Sequence, residues 1–178
     1  RQDRHSGIMG VLGATAETIP VNLRVRTFGP DNNVLQEKQL RFNVCVEQKW
    51  TPYLMMFTLF NSISGLNDYA DEITYRLSAK VDVDGMTGLN LATMQAPVDL
   101  PMPAPMLLAG WWGDKFNRLF SNAVKMPRLM RVDAAIDLLP QRRIANIEQA
   151  WIPRNEVAPG EEVPVKVFLR PYRGERIE

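Results

Sequence analysis

Apolar side chains fall on every second position along much of this chain, and in two stretches they switch to the spacing of a helix. Ile19, Val21, Leu23 and Val25 alternate with Asn22, Arg24 and Arg26. A strand turns successive side chains to opposite faces, so this run predicts a half-buried strand. The turn formers Phe28-Gly-Pro-Asp-Asn-Asn33 follow, and then Leu40, Phe42, Val44 and Val46 alternate with Arg41, Asn43 and Glu47. Two alternating runs about a turn predict a β-hairpin. The cleanest alternation sets Ile73, Tyr75, Leu77, Ala79, Val81 and Val83 against Thr74, Arg76, Ser78, Lys80 and Asp82. Asp84-Gly85 closes it, with residues 86–94 as a weaker return strand. Met130, Val132, Ala134, Ile136 and Leu138 alternate again, opposite Arg131, Asp133 and Asp137. After the turn Pro140-Gln-Arg-Arg143, residues 144–152 predict another strand. Val163, Val165, Val167 and Leu169 give a last one.

The helical stretches are different in kind. Thr51-Pro52 places a threonine N-cap before a proline at the first helical position. Residues 53–63 are then apolar nearly all round up to Gly65, which predicts a helix covered on several sides. Residues 96–105 hold four prolines and are extended or looped. From Pro105 the period is helical for about four turns, with Trp112, Phe116, Leu119, Phe120 and Ala123 on one face and Pro127 as the stop. The fold class expected is α+β and β-rich: an antiparallel sheet or sandwich of about six to eight strands with two helices packed on it. Those helices are expected to bury Phe57, Phe60, Trp112, Phe116 and Phe120. Residues 1–152 are the β-rich domain. Residues 153–178, opening on a loop with Pro159-Gly160, read as an extended terminal strand leading towards a following β domain.

Composition narrows the function classes. The 178 residues suffice for one good core, and 46% apolar with 23% charged residues is ordinary for a folded domain. Lys plus Arg number 21 against 20 acids, and the best basic cluster is Gln141-Arg-Arg143. That balance argues against a dedicated nucleic-acid surface. No apolar run approaches the roughly 18 residues of a transmembrane helix. The start at Arg1 reads as that of a processed chain or an excised domain, so missing targeting signals decide nothing.

Few residues suggest chemistry. His5 is the only histidine, and Ser6 beside it on an extended chain would point to the opposite face. Ser62, Ser64 and Ser121 lie on or near predicted helices, and none sits in a nucleophile elbow. Gly7, Gly10 and Gly13 satisfy neither the dinucleotide nor the Walker spacing, so bends or close backbone approach explain them better. Cys45, the only cysteine, reads as a small packed apolar group. Asp82, Asp84 and Gly85 lack the downstream glutamate of a calcium loop and read as a hairpin turn. Asp68, Asp71 and Glu72 read as solvated loop or cap residues. No catalytic residue, cofactor or metal ligand is assigned. The one candidate partner surface is Trp111 and Trp112 with Met102 and Met106, since tryptophan favours half-wet sites and methionine adapts to varied partners.

The run Gln2-Asp-Arg-His-Ser-Gly-Ile-Met-Gly-Val-Leu-Gly13, leading into Glu17-Thr-Ile-Pro-Val21, resembles a segment of proteins related to the SpoIVB-type serine peptidases of bacteria. Similar pieces follow in order: Leu40 to Val46, Trp50-Thr-Pro-Tyr-Leu54, Ile147-Glu-Gln-Ala-Trp151 and Val167-Phe-Leu-Arg-Pro-Tyr-Arg-Gly-Glu175. The family's Gly-Met-Ser-Gly-Ser-Pro nucleophile motif does not occur here, and the Phe28-Gly29 pair has no histidine after it as the family's Phe-Gly motif does, so no catalytic residue carries over. The resemblance implies the region downstream of the nucleophile in an exported bacterial protein, periplasmic or extracellular. Three functions stay open. The first is a non-catalytic structural or interaction domain packing against, or presenting substrate to, a peptidase-like region upstream in the same protein. The second is part of a serine endopeptidase whose nucleophile and histidine lie upstream. The third is a peptide- or lipid-contacting module using the Trp/Met-rich segment.

Overall fold

Strand register turns the alternation into one buried and one open sheet face. The computed structural model describes residues 12–65, 72–97, 101–154 and 156–178. Among these, β1 (Thr18–Phe28) and β2 (Val34–Cys45) precede α1 (Thr51–Ser64), and β3 (Thr74–Val83) and β4 (Leu89–Gln95) precede α2 (Ala104–Phe120). β5 (Leu129–Leu139), β6 (Ala145–Trp151) and β7 (Lys166–Pro171) complete the chain. The fold is α+β and strand-rich, with seven strands in two sheets and two helices among the described residues.

The larger sheet runs β2-β1-β5-β3-β4, and β6 pairs with β7 in a separate two-stranded sheet. It is mixed, which corrects the antiparallel expectation: β1 and β5 are parallel while the other three pairings are antiparallel. The reason is topological. Two hairpins, β1-β2 and β3-β4, lie with their inner strands running in opposite directions. Any strand slotted between them is parallel to one, whatever its sequence.

Both helices cover the same face. Ile19, Val21, Leu23 and Val25 of β1, Leu77 and Val81 of β3, and Val132, Ile136 and Leu138 of β5 are buried there. They meet Met55, Leu59 and Ile63 of α1 and Leu108, Trp112, Phe116 and Phe120 of α2. Each large aliphatic or aromatic side chain so buried is worth about 1.5–3 kcal/mol against exposure. Trp112 meets Phe116 edge to face, with ring centroids 4.8 Å apart. The helices approach closely at Gly113, where a Cβ would stand 3.1 Å from the Met56 Cβ and 3.3 Å from the Pro52 carbonyl.

The helix boundaries depart from the sequence pattern in two places. Thr51 is the first helical residue and Trp50 occupies the cap position. The buried Thr51 hydroxyl instead donates to the Cys45 carbonyl at 2.9 Å and accepts the Glu47 N–H at 2.7 Å, clamping the β2–α1 connection. The Glu47 carboxylate accepts the N–H groups of Lys49 and Trp50, placing an anion where the helix leaves donors free. α2 ends at Phe120, before Ala123 and Pro127. The Asn122 side chain accepts the Val124 N–H at 2.9 Å, a local turn that competes with helix continuation.

β6 is exposed along its whole length, and β7 is at most half-buried. This pairing runs across the 152/153 position at which the sequence changes character. Arg142 stacks over the Tyr172 ring at 4.6 Å and Arg173 pairs with Glu72 at 3.1 Å, so the hairpin's links to the rest are polar.

Candidate functional site

The sequence of α1 contains no charged residue from Thr51 to Ser64. The sheet and α2 cover one side of it, through Met55, Leu59, Ser62 and Ile63. Trp50, Tyr53, Leu54 and Phe57, spaced i, i+3, i+4 and i+7, project away and are 64%, 55%, 37% and 52% exposed. The expectation that Phe57 is buried and that this helix is covered on several sides is therefore corrected. The described residues supply cover for one side only. The Trp50 and Tyr53 rings lie 6.1 Å apart, tilted by 56°. An uncharged stripe with aromatic side chains is what a protein interface uses as anchors.

The four residues singled out for a partner surface do not share one. Trp112 is 1% exposed, a core side chain held against Phe116, which corrects its assignment to a surface. Trp111 is half-buried, with the Lys115 ammonium 5.0 Å from its ring centroid. Met102 is exposed just before α2, and Met106 is half-buried in its first turn. Consecutive helical residues point about 100° apart, so Trp111 and Trp112 were bound to separate. Sequence reasoning passed over Trp50, Tyr53, Leu54 and Phe57 because an all-apolar helix signals burial. The missing charges were the available clue.

Residues weighed for chemistry are placed as follows. His5, Ser6, Gly7, Gly10, Asp68 and Asp71 lie outside the described residues. Ser62 is buried and donates to the Thr58 carbonyl at 2.6 Å. Asp82 pairs with Lys80 at 3.3 Å, and Gly85 turns the β3–β4 hairpin with φ 69°. Among the described residues no group of three or more His, Cys, Asp or Glu could hold a metal ion. Cys45 is exposed, not packed. It follows the buried Val44 along β2 and so points to the other face.

That other face is open and polar. Register aligns Arg41, Asn22, Asp133, Lys80 and Asn90 in one row across the five strands. Gln39, Arg24, Ala135, Ser78 and Ala92 form the next row, and Glu37, Arg26, Asp137, Arg76 and Met94 the third. The small side chains of the middle row leave a broad, open depression of about 890 Å³. Asp133 accepts from the Asn22 amide at 2.7 Å and pairs with Arg131 at 2.6 Å. Burial raises its pKa, but those hydrogen bonds and the charges of Arg131 and Lys80 outweigh it and hold the carboxyl below its ordinary value. Asp137, 5% exposed, takes Arg26 on one oxygen and Arg76 on the other, each at 2.7 Å. Set against known proteins, the chain matches no family model, no curated protein and no solved structure, so these comparisons give no link to the SpoIVB-type peptidases or to any other family.

Proposed function

We propose that this chain is a non-catalytic structural and interaction domain, and that α1 is the face through which it docks on another polypeptide. The observation that supports this reading is the stripe of Trp50, Tyr53, Leu54 and Phe57 on a helix with no charge. A helix apolar all round is stable in water only when all its sides are covered, and among the described residues nothing covers one side. The resemblance of residues 2–13 and of the later pieces supplies the partner in this reading. It is a peptidase-like region of the same exported bacterial protein, against which the domain packs or to which it presents substrate.

Hydroxyl-radical footprinting tests the reading. Trp50, Tyr53 and Phe57 should oxidise readily in the isolated chain and be protected in the full-length product of its gene. Trp112, already buried, should stay protected in both and serves as the internal reference. Equal oxidation of Trp50, Tyr53 and Phe57 in the two samples would remove the docking role.

A further inference from the structure

The open face of the sheet lies opposite the helices and carries a second, independent signal. Three of its acids are already used within the face: Asp133 by Arg131 and Asn22, Asp82 by Lys80, and Asp137 by Arg26 and Arg76, while the exposed Glu37 accepts only from the Gln39 amide at 3.4 Å. Arg24 and Arg41 are both exposed and have no ion pair or hydrogen bond among the described residues. They are diagonal neighbours, because Arg24 pairs with Gln39 and Arg41 with Asn22. Diagonal positions on one face of an antiparallel pair stand about 7 Å apart. Two like charges at that distance beside the depression floored by Ala135 and Ser78 make a positive strip, which the exposed Glu37, the other diagonal neighbour of Arg24, offsets only in part.

We infer that this strip binds an extended acidic polypeptide segment bearing carboxylates on alternate residues. In an extended chain, residues i and i+2 on one face are about 6.8 Å apart, which matches the spacing of the two arginines. Each guanidinium can take one carboxylate in a forked pair, and the small side chains of Ala135 and Ser78 leave room beside Arg24 for the peptide backbone. A nucleic acid fits less well. Neither row offers an aromatic ring to stack a base, and Asp133 and Asp82 on the same face repel a continuous line of phosphates.

The test is fluorescence anisotropy at low ionic strength with a fluorescein-labelled peptide alternating glutamate and serine. Binding is expected, weakening as salt is raised. Arg24→Gln and Arg41→Gln should each weaken it by about fivefold, the ceiling for an exposed pair. Arg118→Gln, which removes a charge from the exposed side of α2, should leave it unchanged. Unaltered affinity in the Arg24→Gln/Arg41→Gln double variant would overturn the inference. So would equal binding of a glutamine–serine peptide, or tighter binding of oligothymidylate through the same two arginines. Should a variant lose its circular dichroism, the salt titration and the glutamine–serine control on the unaltered protein still decide.

Discussion

At the scale of single residues the informative groups are polar ones whose partners are far away in sequence. Asn22 and Asp133 are 111 positions apart, yet the parallel pairing of β1 with β5 sets them side by side. Because the Asp133 carboxyl is held below the ordinary value of 3.8, it ionises more readily in the folded protein than in the unfolded chain. Its contribution is therefore fully present above that ordinary value and is lost as pH falls through the folded one. Arg131 is shifted upwards, chiefly by the hydrogen bond from its side of the same pair, and stays charged throughout that acid range. Asn22→Ala removes one of the interactions holding Asp133 down. The Asp133 side-chain resonance should then titrate at higher pH, and acid unfolding should begin earlier. An unmoved NMR titration would show that Asn22 does not act on this carboxyl. None of this was legible beforehand. Alternation marked Asn22 and Asp133 only as outward-facing, and outward-facing residues are ordinarily left to water.

Elements were the most legible level, for a reason that also explains the failures. β1, β3 and β5 bury one face against the helices, so a period of two runs through most of each and the sequence shows it plainly, although Met130, expected on the buried face of β5, is exposed. The amphipathic α2 was equally plain. The cover of α1 was misjudged because apolar character reports a demand for burial, and packing among the described residues meets only part of that demand. The β1–β5 pairing was hidden too, since register between distant strands is set by tertiary packing rather than by either strand alone. Within α2 the same tertiary information separates two glycines that look alike in sequence. At Gly110 nothing lies within 4 Å of an added Cβ, so Gly110→Ala should stabilise by about 0.5–1 kcal/mol through helix propensity. At Gly113 the added methyl meets the Met56 Cβ and the Pro52 carbonyl, neither of them the end of a flexible side chain. The helices must part slightly, which offsets the propensity gain. Gly113→Val, larger and β-branched, should lose about 1–3 kcal/mol. Urea unfolding of the three variants checks this order, and an equal gain for Gly110→Ala and Gly113→Ala would refute the close approach.

Over the whole molecule, stability is expected to be divided unevenly between the two sheets. β1 and β5 lie inside the five-stranded sheet, β3 carries strands on both sides, and their core side chains are shared with both helices. Opening any one of these strands exposes the common core, so their amides should exchange only through global unfolding. Among the described residues the β6–β7 sheet contributes no side chain to that core. It is two-stranded, Ile147 is 70% exposed and Trp151 47%, and it is tied to the rest by exposed pairs such as Arg173 with Glu72. An isolated two-stranded sheet is marginal in water, and exposed ion pairs add about 0.2–1 kcal/mol at most. Ring contacts, such as Arg176 over Phe168 at 4.0 Å, add increments of similar size. Hydrogen exchange should therefore show β6 and β7 amides opening at far lower free energy than those of β1, β3 and β5. Gly110→Ala sharpens the comparison. It should slow exchange in the five-stranded sheet, whose amides open with the global transition, and leave β6 and β7 unchanged. If the hairpin slowed in step with the sheet, the two would unfold as one unit, and the polar links at Arg142, Tyr172 and Arg173 would have to carry more coupling than their exposure allows.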